Sequence, residues 1–374
     1  MAEVGGSSEW ADPKSLSKAL ERADSLDDSA ALPRAIWRMW NYEFYNGDWR
    51  AGERLADRFV SIADRTGDPA DALIGDRLTG ATLHHLGNQM AARSHLERML
   101  AAYEEPADQR HMYWFHHDQR VVARAMLARV LCLRGFADQA RRTAEVGLEE
   151  ALAREHTLSI RYALRWGMFP VALMTGDLAI VGRSLRMFND ASPTQSPFVR
   201  LVGQSMLGML SFRRGELESG TALLSSALDT FFGLGWTMCF PDMLGMLAEG
   251  LAGHGRPEEA QATVGEALER TERGGARWYT AELLRIQGEL LRQVDTSQSL
   301  AAAEASFFEA ISVAHRQGAL RWELRAAIGL ARLMIERDRR VDAREILAPI
   351  HARFTEGFET MDLRAARALL DRLA

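Results

Sequence analysis

The sequence predicts an all-α solenoid of about eight helix-turn-helix pairs with a C-terminal capping helix. Three observations carry that expectation. Six glycines, Gly47, Gly87, Gly135, Gly176, Gly215 and Gly255, recur 40, 48, 41, 39 and 40 residues apart. Apolar residues three and four apart flank each of them on both sides, the mark of two amphipathic helices joined by a tight turn. No linker divides the 374 residues, which suits a chain that builds its core only between neighbouring repeats.

Residues 1–12 are polar and glycine-rich and are expected to be disordered or a cloning remnant; Pro13 to Leu32 reads as a short leading helix. Residues 13–374 then read as a single solenoid domain. In the fifth unit Leu201 to Phe212 is the first helix and Leu217 to Phe232 the second. The glycine between paired helices suits a helix end at positive φ, where it has no Cβ to clash.

Close helix crossing requires small side chains at fixed offsets. Five residues after each glycine stand Gly52, Ala92, Ala140, Val181, Gly220 and Ala260; seven before stand Gly80, Ala128, Gly208 and Ala248, with Trp40 and Phe169 as exceptions. The register continues through Asp295 and Asp338, with Gly288 and Ala331 before them and Ala303 and Ala343 after, Ala303 calling for a longer turn. The eight pairs cover roughly residues 33 to 360. Residues 189–197, with two prolines and two serines, are the most loop-like internal stretch and a candidate hinge. Met361 to Leu373 places Leu363, Ala366, Leu369 and Leu370 on one face, as a terminal cap should.

Composition narrows the function classes. With 47% hydrophobic and 26% charged residues the chain reads as a folded globular protein. It has no apolar run of the roughly 20 residues a membrane span needs, and no secretion-signal pattern, so a cytoplasmic location and no membrane partner are expected. The net charge of −6 argues against a nucleic-acid partner. Lys14 and Lys18 are the only lysines among 45 basic residues, an arginine excess that reads as GC-rich coding. Cys132 and Cys239 lie in apolar helical stretches and read as buried free thiols.

The order small residue, turn, small residue, bulky residues resembles the tetratricopeptide repeat, whose usual period is about 34 residues against about 40 here. That resemblance implies a right-handed superhelix. The slots where the family carries an aromatic residue and an alanine read Leu224 with Ala227, Val264 with Ala267, and Phe307 with Ala310.

A closer resemblance covers the last hundred residues. From Glu282 the chain reads Glu-Leu-Leu-Arg-Ile-Gln-Gly-Glu-Leu-Leu; Ala303 to Gly318, Trp322 to Leu333, Ala343 to Ile350 and Phe354 to Leu363 come after it. Together these look like the C-terminal helical region of bacterial signal-transduction ATPases of the STAND type, including those fused to class III adenylate cyclase or winged-helix domains. The resemblance implies a helical sensor that holds an ATPase in check. The chain has no Gly-x-x-x-x-Gly-Lys-Ser/Thr phosphate loop and, with only Lys14 and Lys18, no lysine placed to complete one. No cyclase carboxylate pair or DNA-reading helix is recognisable, so the chain reads as the non-catalytic sensor or scaffold half, or as a free-standing adaptor relative.

The residues give little support to catalysis or a cofactor. His111-Met-Tyr-Trp-Phe-His-His-Asp118, with His84 and His85, is the densest reactive cluster, but His116 and His117 are adjacent on an expected helix and diverge by about 100°. Neither cysteine has a histidine fixed near it, and no Gly-x-Ser-x-Gly elbow occurs. Glu149-Glu150 and Glu258-Glu259 read as solvated or first-turn charges. No catalytic residue, metal or cofactor is expected.

Binding on the concave face is the expected function. The register puts Arg34, Trp37, Asn41, Phe44 and Tyr45 there in unit one, then Arg77 and His84, Arg129, Trp166, and Met209, Phe212 and Arg213. Arg285, Glu289, Arg292, Arg325 and Arg332 make the far end more charged. Aromatic residues beside arginines suit a peptide or protein partner, or a small-molecule effector, through contact area and charge-assisted hydrogen bonds. Against that, aromatics at helical spacing also serve as core between units.

Overall fold

The computed structural model describes residues 13–26, 31–103, 115–191, 196–237 and 240–373. Every element of regular structure among them is helical. Helix α1 (Pro13–Ser25) leads; the pairs are α2 (Ala31–Asn46) with α3 (Trp49–Thr66), α4 (Pro69–Leu86) with α5 (Gln89–Ala102), and α6 (Gln119–Leu133) with α7 (Ala137–Ala153). Unit four pairs α8, which runs as Thr157–Tyr162, a π-helical turn over Ala163–Met168 and Phe169–Thr175, with α9 (Leu178–Asp190). Then come α10 (Pro197–Arg213) with α11 (Leu217–Gly233), α12 (Phe240–Gly253) with α13 (Pro257–Gly274), α14 (Thr280–Val294) with α15 (Ser297–Gln317), and α16 (Leu320–Glu336) with α17 (Arg340–His351). Helix α18 (Met361–Arg372) caps the array.

Each pair turns at the residue the repeat marks. The six glycines have φ between 72° and 92°, and Asp295 and Asp338 take the same left-handed conformation at 53° and 62°. The second helix starts two residues after every marker. Asp48, Asn88 and Asp177 cap it by accepting from Ala51, Ala91 and Ile180 backbone N–H groups, satisfying donors the helix leaves open. The turn before Ala303 is therefore no longer than the others. Ala303 lies deeper along α15, which at 21 residues is the longest helix described.

The small slots are where the paired helices meet. Ala92, Ala140, Val181, Ala260, Ala303 and Ala343 are fully buried. A Cβ on Gly220 would lie 2.7 Å from the Phe212 backbone nitrogen, and one on Gly80 would lie 2.7 Å from Leu96 Cγ. Unit one inverts the arrangement: Trp40 takes the first slot and Gly52 leaves it room, a Cβ there meeting only the edge of the Trp40 ring, with Nε1 nearest at 3.7 Å. Gly220→Ala should thus cost about 1–3 kcal/mol through overpacking against backbone. Gly52→Ala, at the equivalent position, should be neutral or stabilising by up to about 1 kcal/mol from helix propensity. Denaturant unfolding of both variants checks this; equal effects would contradict the register.

The superhelix stacks on itself after about half the array. Thr237, before α12, donates from its backbone N–H to the Tyr45 carbonyl at 3.1 Å and from its hydroxyl to the Asn46 carbonyl, at the end of α2. The end of α4 meets the start of α14, where His84 and Trp278 rings lie 5.6 Å apart. The end of α6 meets α16 and the segment between α17 and α18: the Gly135 backbone sits against Phe354 and Leu320, and Gln139 donates twice to Glu356 at 2.9 Å. Arg321 of α16 donates to the Met174 carbonyl at the end of α8. Units one to four thus rest their first-helix ends on the units one superhelical turn later, and one apolar cluster joins Leu133, Leu164 and Phe169 to Trp278 and Trp322.

Candidate functional site

The first helices line the inner face, and the stacking decides how much of it stays open. Trp37, Arg77, His84, Arg129, Trp166 and Arg285 are buried, at no more than 9% exposure. Arg34, Asn41, Tyr45, Arg213, Arg292 and Arg325 are half-buried, and Arg332 is exposed. The open concave groove expected from the repeat is, at the six buried positions, a filled interior. Trp278 of the second superhelical turn covers His84 and Arg129, Trp37, Arg77 and Trp166 pack against Phe115, Trp40 and Phe44 of the first, and Arg285 lies against Glu249 and Glu282. His116 and His117 also differ from expectation: they occupy a bend before α6, His116 with φ 55°, and face Trp37 and Tyr162 respectively. His111 and Cys239 lie outside the described residues.

The N-terminal half of the interior is aromatic and basic. Phe44 packs at 4.9 Å from both Trp40 and Trp49, and Trp49 stacks flat on His85 at 3.9 Å. Trp40 Nε1 donates to Thr82 Oγ1 at 2.9 Å. The Arg77 guanidinium lies 4.9 Å from the Trp40 ring, and Arg129 lies between Trp278 at 4.6 Å and Trp166 at 5.4 Å, favourable cation–π geometry. Gln89 fixes the His84 tautomer: its amide nitrogen donates to the His84 carbonyl at 3.0 Å, so its oxygen accepts from Nδ1–H at 2.8 Å. Burial, reinforced by Arg129, pushes His84 down to about 3, and burial pushes His85 well down too. Both are neutral at pH 7.

The C-terminal half carries an ionic ladder. Glu249 of α12 accepts from Arg285 at 2.6 Å, Arg285 pairs with Glu282 at 3.0 Å, Glu282 with Arg325 at 2.8 Å, Arg325 with Asp362 at 2.9 Å, and Asp362 with Arg321 at 2.5 Å. Three of the predicted inner-face arginines are therefore committed to structure, Arg292 included through Glu289 and Glu336. The repeat register missed Glu249, Glu282, Asp362 and Tyr162. An acid recurring along α12, α14 and the cap was present as a signal, but it has meaning only once these helices are known to converge.

Near the rim, Asp71 at the start of α4 is pushed up to about 6, by burial first and Asp68 second, with Arg34 opposing. A carboxyl raised in the folded state contributes stability below its ordinary 3.8 that is lost as pH rises through about 6. Asp71→Asn should therefore raise the melting temperature at pH 8 and leave it nearly unchanged at pH 4; a loss of stability at pH 8 would contradict the assignment.

Between these halves and the outside, Trp37, Trp40, Asn41, Tyr45, Arg77 and Tyr162 line a narrow cleft enclosing about 10 Å³. Among the described residues no group of three or more His, Cys, Asp and Glu side chains is placed to hold a metal ion. Cys132 is buried and its thiol is pushed up by that burial. No described helix is long and apolar enough to cross a membrane. The chemistry the inner face offers is non-covalent recognition: planar cations, aromatic walls and an amide.

No protein-family model matches the chain. An uncharacterized protein of Rhizobium meliloti (strain 1021) is 25% identical over 323 residues, covering 83% of this chain and 31% of that protein, so the chain spans about a third of its length. Among solved structures, a Rap protein complexed with competence and sporulation factor is similar with a TM-score of 0.53 and 13% identity, over 80% of this chain and 87% of that one. A STAND protein with a tetratricopeptide repeat sensor from Pyrococcus horikoshii gives a TM-score of 0.39 and 13% identity, over 97% of this chain and 56% of that one. The fold is an all-α tetratricopeptide-like solenoid, and such a fold suits a protein-interaction scaffold.

Proposed function

We propose that residues 13–374 act as one non-catalytic sensor or scaffold module of a bacterial signal-transduction ATPase or transcriptional regulator, working in the cytoplasm. It binds a protein, peptide or small effector at the open rim of its inner face. The observation that carries this reading is the rim itself: Asn41, Tyr45 and Tyr162 are half-buried over buried Arg77 and Trp37, so polar, aromatic and cationic groups converge where a partner can reach them. The Rap protein of similar fold was solved with a bound factor, and the end-of-chain resemblance to STAND regulators supports the signalling context.

A second surface favours the adaptor alternative. An outer groove of about 930 Å³ runs between α11 and α13, with Ser225, Ser226, Asp229 and Thr263 on its walls. A free-standing adaptor needs two faces, and this one is separate from the rim.

The two readings separate in one comparison. Partners would be co-purified from the native host with the wild-type protein, with Asn41→Trp, which plugs the rim, and with Ser226→Trp, which plugs the outer groove. Loss of a partner by Asn41→Trp alone supports the sensor reading, and loss of different partners by each variant supports the adaptor. Identical partners for all three proteins, or none above background, would contradict both.

A further inference from the structure

We infer that the cleft over Arg77 is a carboxylate-binding site, taking an apolar or aromatic monocarboxylate whose charge meets the Arg77 guanidinium and whose body packs on the Trp37 and Trp40 side. This deepens the inner-face reading and rests on it.

Arg77 is buried like Arg285 and Arg321 but differs from them and from half-buried Arg325 in its partners. Arg285, Arg321 and Arg325 each sit against one or two carboxylates. Arg77 is 3% exposed and has no carboxylate within ion-pair distance among the described residues. Its Nε has no hydrogen-bond partner, and the Trp40 ring lies 4.9 Å from its guanidinium carbon. The ionisable groups around it are the hydroxyls of Tyr162 and Tyr45 and the His117 imidazole, and burial pulls it down to about 10. A guanidinium buried without a counter-charge is costly, because desolvation is not offset by any partner. The cost is explained if the counter-charge arrives with a ligand.

The ligand chemistry follows from the walls. A guanidinium is a planar fork that matches a carboxylate with two parallel hydrogen bonds. The other lining groups are the aromatic rings, Val122, the Asn41 and Gln119 amides and His117, which burial pushes down to about 3, so they add apolar surface and neutral polar groups but no second cation at neutral pH. A dianionic phosphate would remain undercompensated there, whereas a single carboxylate on an apolar body is matched at both ends. The half-buried Tyr45 and Tyr162 form the rim and must turn outward to admit it, since the cleft as it stands holds about 10 Å³.

The test uses 3-phenylpropionate and its neutral analogue 3-phenylpropanamide as probes, with the Trp37 and Trp40 indole N–H resonances as the readout. The carboxylate should shift both resonances and raise the melting temperature, and the amide should bind at least about tenfold more weakly, the loss of one charge-assisted hydrogen-bond pair. Arg77→Met should abolish the response while melting no lower than wild type, and Arg77→Lys should fold and bind with intermediate affinity. No shift with the carboxylate, an equal shift with the amide, or an unchanged response in Arg77→Met would overturn the proposal, as would a large drop in the Arg77→Met melting temperature, which would make the arginine structural. Acetyl-glycyl-phenylalanine with a free or amidated C-terminus then separates a polypeptide end from a small acid as the source of the carboxylate. A partner lost by Asn41→Trp while both carboxylate probes fail would leave the inner-face reading standing and sink this one.

Discussion

Asp362→Asn should destabilise the protein by about 3–5 kcal/mol, the cost of leaving a buried charge without its partner. Asp362 pairs with both Arg321 and Arg325, and the Asp362 and Arg321 side chains are 7% and 5% exposed. Burial by itself would raise the Asp362 carboxyl, but Arg321, Arg325 and Arg213 outweigh it and hold it below its ordinary value. Because Arg321 also donates to Met174, the variant loosens the cap from α16 and α16 from α8 together. Asp362→Leu combined with Arg321→Met should recover most of the loss, since apolar replacement of a buried pair is often neutral or better; Arg325 keeps Glu282 in that background. Urea unfolding measures both. An Asp362→Asn variant as stable as wild type would mean that these charges are hydrated rather than buried.

Acid should weaken the fold from pH 6.5 downward, before ordinary carboxylates titrate. His84 and His85 are buried and neutral, with His84 at about 3 against 6.5 in an unfolded chain. Between those values the unfolded chain takes up protons that the folded one refuses, so stability falls as pH falls. His84 contributes up to about 1.4 kcal/mol per pH unit, or about 1.7 kcal/mol between pH 6.5 and 5, and His85 and His117, both pushed down by burial, add to it in the same direction. His85→Phe, which keeps a ring on Trp49, should make that slope shallower without abolishing it. Stability unchanged from pH 7 to pH 5 would place both imidazoles in water and contradict the filled interior.

The local features of this fold were legible in the sequence and the long-range ones were not. The turn at each marker depends on one residue at positive φ, and the register found even Asp295 and Asp338, where aspartate does what glycine does elsewhere. Ala260 and Gly220 were legible for the same reason, since helix crossing within a unit is set by fixed offsets. A contact made one superhelical turn away has no fixed offset: nothing in the spacing of Met174 and Arg321 announces theirs. The register thus placed His84 and Arg129 on the inner face without showing that Trp278 of the second turn covers them. It also missed the π-helical turn at Ala163–Met168, which precedes Phe169, one of the two large residues in a small slot. Arginines that look alike in the sequence divide by partner, Arg325 against acids and Arg77 against a tryptophan.

The most direct measurement of the inner-face claim places a benzophenone amino acid at position 45 or 226 of the protein in its native host, with illumination to cross-link whatever is bound. Position 45 lies on the inner rim and position 226 in the outer groove. The inner-face account predicts a defined cross-linked partner from position 45 that disappears in the Asn41→Trp background. Cross-links from position 226 alone, or from position 45 irrespective of Asn41→Trp, would contradict it.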